Sequence, residues 1–394
     1  MISDENDEED PYDAEAMDME GYHPHQQDQP DYPTSFMSTG SWAHDIHAAL
    51  ADMPASPSNL IELRRASVGR NRLSRIDELR DVDIDWKYIY WQRHLLEKNW
   101  RDGKFTPRTF SGHQEAIYCL QFDDDKIVSG SRDDSIKVWD MQTGKCRTTL
   151  TGHHGSVLCL QYNSNHIVSG SSDSTIIVWD IRTGRALRTL MGHTESVLNL
   201  RFDDEHIVSC SKDTTVKIWR TADGKLLHTL RGHKAAVNAV QYGNGVVVSA
   251  SGDRSIKIWD MATGQIKKSL MGHTRGIACI QFDGHTIVSG SSDKTIKVWD
   301  AHSGQNTLTI TGHGDLVRTL QFDDVRIVSG SYDETLKVWD RKTGQQVLEL
   351  KCGGGHTSRV FKLQFDVARV VSCSQDQRII VWDFSTDVDT RFFL

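Results

Sequence analysis

The sequence predicts an all-β fold of seven copies of one four-stranded unit, preceded by a short helical linker and a disordered acidic leader. Three observations carry this. Seven Gly-His dipeptides end in His113, His153, His193, His233, His273, His313 and His356, a period of 40 residues five times running and then 43. Each is answered 26 residues later by a tryptophan: Trp139, Trp179, Trp219, Trp259, Trp299, Trp339 and Trp382. Between these marks every copy holds short β-rich runs punctuated by Gly, Asp, Asn and Ser, as strand boundaries require.

The leader comes first. Residues 1–85 hold 20 acidic and 6 basic side chains, while residues 86–394 hold the remaining 34 acidic and 39 basic. The total of −9 therefore hides a strongly acidic leader and a mildly basic body. Met1–Glu20 has ten carboxylates and no basic residue, and the stretch after it has little apolar periodicity. Residues 1–75 are expected to be disordered. Within them Arg64–Ser67 spells RRAS, a basophilic kinase pattern that short stretches also reach by chance.

The linker, residues 76–103, follows. Residues 86–101 predict a helix: Ile89, Leu96 and Trp100 fall on one stripe, charged residues lie between them, and Asp85 is a candidate cap. From residue 104 to 394 the strands take over. In the first repeat they are Ala116–Phe122, Lys126–Ser131, Ser135–Asp140 and Lys145–Leu150. Such a meander cannot bury both faces alone, and packing successive sheets around a closed ring solves this while protecting the edges.

Closure of the ring needs an outer strand after Trp382. Lys104–Phe110 and Thr390–Leu394 compete for the place. The N-terminal segment is expected to win, because it ties both chain ends into the ring; Pro107 is tolerable on an edge strand.

Each copy repeats a polar set: His, Ser at +16, Asp at +20 and Trp at +26, for example His153, Ser169, Asp173 and Trp179. A nucleophile is needed once and this set occurs seven times, so it reads as structure rather than as a hydrolase triad. The remaining histidines lack ligand spacing, and no metal or cofactor is expected. A lysine two residues before Trp in five repeats (Lys137, Lys217, Lys257, Lys297, Lys337) lacks aromatic interleaving. It reads as a solvated strand position rather than a nucleic-acid stripe.

The seven cysteines show no paired CxxC spacing. Cys119, Cys159 and Cys279 share one position, six residues after His, where a small apolar side chain packs. Reduced intracellular thiols fit best. The N-terminus lacks a signal-peptide pattern and no apolar run reaches membrane-spanning length. Cytoplasm, nucleus or both are the expected compartments, with no nucleic-acid or membrane partner.

The period, the Gly-His and the Trp-Asp punctuation together resemble the WD-repeat family, which implies a seven-bladed WD40 β-propeller. In that family the His, Ser, Asp and Trp side chains form a buried relay between the b–c turn and the d–a loop. The linker adds a finer likeness. Trp86, Lys87, Tyr90, Gln92, Arg93, Asn99, Trp100, Arg101 and Gly103 resemble the linker of F-box/WD-repeat proteins. That resemblance implies a substrate receptor of an SCF-type ubiquitin ligase, with a Skp-type adaptor and a cullin as partners. An F-box needs about forty residues of Leu-Pro-led helices before this linker, and residues 42–85 show none. A shortened form, a diverged box and an absent adaptor link all stay open.

Alternating strand direction puts the d–a and b–c connections of every blade on one rim. Five residues after His stand Tyr118, Leu158, Leu198, Asn238, Ala278, Arg318 and Phe361; just before each turn Asp stand Arg132, Ser172, Lys212, Gly252, Ser292, Tyr332 and Gln375. Nearby positions add Ser156, Arg275, Gly276, Leu316, Arg359 and Lys362. The set is unequal from blade to blade, unlike the scaffold positions, so this mouth is the default binding site. Arginine forks, hydroxyls and apolar side chains together suit a phosphorylated peptide.

Stretches such as YCLQFDDDKIVSGSRD and SASGDRSIKIW resemble in particular the beta-transducin-repeat-containing F-box receptors. The likeness implies phosphodegron recognition by Tyr118, Arg132, Ser156, Ser172, Arg275, Gly276, Arg318, Arg359 and Lys362, the last standing where that group has Arg. The receptor type with eight blades and three clustered arginines fits poorly, since Leu198 and Asn238 occupy two of those positions. Two functions stay open. One is a phosphodegron-binding receptor for ubiquitin-dependent degradation; the other is a non-catalytic scaffold without a ligase link. A propeller enzyme would need a unique acid–base, metal or cofactor set at the channel, and none stands out.

Overall fold

Each repeat folds into four antiparallel strands in consecutive order, in a computed structural model that describes residues 86–351 and 355–392. In the first blade these are Ile117–Phe122, Lys126–Ser131, Ile136–Asp140 and Cys146–Leu150, within a residue of the expected bounds. The expectations for the acidic leader, the Arg64–Ser67 motif, the Asp85 cap and residues 42–85 lie outside the described residues.

The first strands of neighbouring blades touch one another, and those of the seventh and first blades also meet, so the ring closes. The closing strand is N-terminal. Thr106–Ser111 pairs antiparallel with Arg378–Asp383, with Pro107 opposite Trp382. The competing C-terminal segment forms a 3-10 turn over Thr390–Phe392 instead.

The core lies between blades. Trp179 of blade two, 2% exposed, packs with Val128, Ile136, Val138 and Leu150 of blade one. The relay holds in all seven blades. In the first, Trp139 Nε1 donates to Ser129 Oγ (2.8 Å), which pairs with His113 Nε2 (2.8 Å), while His113 Nδ1 meets Asp133 Oδ2 (2.8 Å). A carboxylate only accepts, so the proton sits on Nδ1 and the serine hydroxyl donates to Nε2. Seven copies of this network stitch the third strand, second strand and d–a loop of each blade together.

Glutamines stitch one blade to the next. Gln121 Nε2 donates to Tyr162 O (3.1 Å) and its Oε1 accepts from Tyr162 N (2.7 Å). Gln364 does the same with Phe122 across the closing seam.

The linker is a helix, Trp86–Asp102, and its buried stripe differs from the expected one: Gln92, Leu96, Asn99 and Trp100. Ile89 is only half-buried, and two polar residues join the stripe because each has a backbone partner. Asn99 Nδ2 donates to Phe384 O (2.8 Å) and Thr386 O (2.9 Å), and Gln92 Oε1 accepts from Asp389 N (2.8 Å). Trp100 stacks on Phe384 at 3.9 Å and takes the Arg326 guanidinium on its ring at 4.4 Å. Gly103 ends the helix at φ +65°, where a Cβ would meet Leu348 Cδ1 at 2.8 Å.

Candidate functional site

Strand direction decides what each channel mouth carries. The first strand of each blade leaves the d–a loop and ends at the a–b turn, so side chains soon after His lie near the His-side rim. The same bond fixes that rim in every blade. The Ser172 amide donates to Ser156 O (2.9 Å), and it recurs as Arg132–Ala116, Lys212–Ser196, Gly252–Ala236, Ser292–Gly276, Tyr332–Leu316 and Gln375–Arg359. A second bond reinforces it: Ser131 Oγ donates to Ala116 O (2.9 Å) and Ser171 Oγ to Gly155 O (2.8 Å). Each blade thus presents two variable residues side by side on a shared backbone frame.

The expected site residues divide into a rim and a plug. Ser172, Lys212 and Arg275 are exposed; Arg132, Ser156, Gly252, Gly276, Leu316 and Arg359 are half-buried. Tyr118, Leu158, Leu198, Tyr332 and Phe361 are buried as one cluster. Tyr118 and Phe361 lie 4.9 Å apart, and Tyr332 meets Phe361 edge-on at 5.8 Å. Ala278 and Arg318 are buried beside them. Arg359 lays its guanidinium over the Tyr332 ring at 4.8 Å, joining rim to plug. Asn238 is buried, its amide donating to Ile277 O of the next blade at 2.9 Å. Lys362 lines the channel, both the cavity at the a–b turns and the tighter space that the plug residues border.

The rim frame is electrostatically set by its turns. Burial works to raise the Asp133 carboxyl, but hydrogen bonds from His113, Ser135 and the Gln114 amide outweigh it and hold the group well below the ordinary carboxylate range. All seven turn aspartates behave alike. The lysines before Trp belong elsewhere, on the third strands. Lys137 Nζ donates to Thr149 Oγ1 (3.1 Å) on the outer strand, and the pattern repeats. They are less solvated than expected, and Lys217 and Lys337 are buried.

Sequence reasoning did not single out the ring of glutamines eight residues after His, nor its one exception, Arg201. The signal was available in the repeat alignment itself, as a column that is constant in six copies and broken in one. Among the described residues no group of three or more His, Cys, Asp or Glu is placed to hold a metal ion, and no helix is long and apolar enough to cross a membrane.

Fold and rim define a seven-bladed propeller whose scaffold is uniform and whose one mouth is individual. The seven repeats match the model of the WD domain, G-beta repeat, over residues 105–140, 144–180, 184–220, 224–260, 264–300, 304–340 and 344–383. The chain belongs to the WD-repeat family. It is 31% identical over 121 residues, 31% of this chain and 17% of the relative, to "Probable E3 ubiquitin ligase complex SCF subunit sconB" of Talaromyces stipitatus. It is 40% identical over 83 residues, 21% of this chain and 6% of the relative, to F-box/WD repeat-containing protein 7 of Drosophila melanogaster. The aligned segments thus span less than a fifth of these relatives' own length. Among solved structures it is similar to the computationally designed Ika8 protein, with 36% identity and a TM-score of 0.58, covering 70% of this chain and 98% of that one.

Proposed function

We propose that the chain is a non-catalytic substrate receptor of an SCF-type ubiquitin ligase, and that it captures substrates through a phosphorylated peptide motif. The supporting observation is the rim. Arg132, Arg275 and Arg359 stand on three different blades of the His-side rim with the hydroxyls of Ser156 and Ser172, and Arg318 of a fourth blade lies buried beside the apolar plug. Arginine gives planar, charge-assisted pairing to phosphate, and hydroxyls complete the oxyanion's shell. A peptide running across the mouth rests its apolar side chains near Leu316 and the plug.

The ligase part of the reading rests on the two relatives named above and on the linker, whose Gln92, Asn99 and Trp100 form the helix's anchor to the seventh blade. Pull-down of the full-length chain, probed for a Skp-type adaptor and a cullin, tests it: co-capture of both is expected. A second reading has its own support, because residues 42–85 carry no Leu-Pro start. In that reading the propeller is a non-catalytic WD-repeat scaffold that assembles a protein complex without a ligase, and neither adaptor nor cullin is captured.

A further inference from the structure

The channel below the plug is lined column by column, and two columns are broken by a long cation. Eight residues after His, six blades carry glutamine, but blade three carries Arg201. Six residues after His, six blades carry Cys, Asn, Ala or Thr, but blade seven carries Lys362. Repeats depart from their own pattern where a position serves something other than the shared scaffold. Both departures line the same open cavity of about 470 Å³ at the a–b turn end of the channel. Both also line the tighter space of about 30 Å³ between that cavity and the plug, together with Arg318.

Among the described residues no carboxylate pairs with either charge. Arg201 Nε donates to Gln241 Oε1 at 3.2 Å; among the described residues its terminal nitrogens and Lys362 Nζ have no hydrogen bond and neither residue has an ion pair. Burial pushes the Lys362 ammonium down to about 8, and the positive charges of Arg201 and Arg318 push the same way. The carboxylate that lines the cavity, Asp203, turns its Oδ1 to the amides of Glu205 (2.8 Å) and His206 (2.7 Å).

Further donors are uncommitted. Gln121, Gln161 and Gln364 use both amide atoms at their seams. Gln321 uses only Oε1, accepting from Phe365 N at 2.7 Å, and Gln281 has no side-chain hydrogen bond among the described residues. A channel wall that holds unanswered cations and spare amide donors is destabilised by its own repulsion until an anion fills it.

We propose that this cavity is a second binding site, for a small phosphate-class oxyanion, either free or as the headgroup of a small phosphorylated molecule, held between Arg201 and Lys362. It is entered from the a–b turn rim. The plug of Tyr118, Leu158, Leu198, Tyr332 and Phe361 separates it from the peptide mouth. Arg318 borders both the plug and the tighter space beside Lys362, so Arg132, which lines neither channel space, is the residue that tells the two sites apart.

The test titrates the full chain with inorganic phosphate, and in parallel with glycerol phosphate, against chloride at matched ionic strength, followed by melting temperature and calorimetry. Phosphate is expected to raise the melting temperature where chloride does not; a stronger response to glycerol phosphate assigns the headgroup source. Arg201→Gln gives blade three the residue of the other six, and Lys362→Thr gives blade seven the residue of blade six. Each is expected to weaken the oxyanion about tenfold or more. Each should also raise the melting temperature without phosphate, because it relieves the repulsion. Arg132→Ala, on the opposite rim, keeps the response. An oxyanion response no larger than that of chloride overturns the site, as does a response that survives both channel variants or disappears with Arg132→Ala.

Discussion

Pro107 stands opposite Trp382 in the outermost strand pair of the seventh blade, so the residue that closes the ring lies about 275 positions before its partner. Proline lacks an amide to donate, yet nothing is lost here, because the strand has a neighbour on one side only. Phe110, 3% exposed, packs against Trp139 of the first blade, carrying the closure into the next interface. Deleting residues 104–110 is therefore expected to lower the melting temperature far more than deleting residues 388–394, whose described part forms no strand. Thermal denaturation of the two truncations checks the ranking, and the reverse order would place closure at the C-terminus.

The turn aspartates give stability a definite pH dependence. Their folded-state carboxyls lie below the unfolded value near 3.9, so the unfolded chain binds more protons in between. Their contribution is full above about pH 5 and is lost as pH falls through the folded range. Melting temperature should decline steeply below about pH 4, with Asp253→Asn costing about 1–3 kcal/mol at pH 7. The gap between that variant and the native chain should narrow in acid. A constant gap across pH would separate the stabilisation from the carboxylate's charge.

The fold was legible because the repeat writes every strand seven times, and the relay because a polar set copied seven times cannot be a single site. What was not legible has physical causes. Gln92 and Asn99 are polar, so an apolar stripe search passes over them, although each is buried by bonding a backbone partner. The division of the mouth into rim and plug depends on which way the inner strand's side chains turn; Lys362, expected among the rim residues, lines the channel. Arg201 belonged to no motif, being visible only as the exception in a glutamine column.

Backbone strain offers a stabilising substitution. The residue after each turn Asp is left-handed and never glycine, from φ +61° at Asp134 to +70° at Glu334. Thr214, at +67°, is β-branched and bears this conformation worst. Thr214→Gly should stabilise by about 0.5–1 kcal/mol, the relieved strain exceeding glycine's entropic cost. That corresponds to a rise of about 1–4 °C in melting temperature. Lys294→Gly, at a straight-chain residue, should gain less, and a larger gain there would remove branching as the cause.

The rim arginines decide the peptide reading. Peptide phosphates bring about −1.5 to −2 charges each, and charge-assisted bonds contribute about 1.5–3 kcal/mol. A doubly phosphorylated Asp-Ser-Gly peptide is therefore expected to bind while its unphosphorylated twin does not, with affinity falling as salt rises. Arg132→Ala and Arg318→Ala should each weaken binding about ten- to a hundredfold. Arg318 is buried, so its variant must first show native-like melting before its affinity is read. Lys137→Ala removes a cation that donates to Thr149 on the outer strands and should leave binding unchanged. Calorimetry on the folded chain provides the measurement. Equal affinity for the two peptides, or equal losses from Lys137→Ala and Arg132→Ala, would reduce the mouth's arginines to general surface charge and leave the scaffold reading in their place.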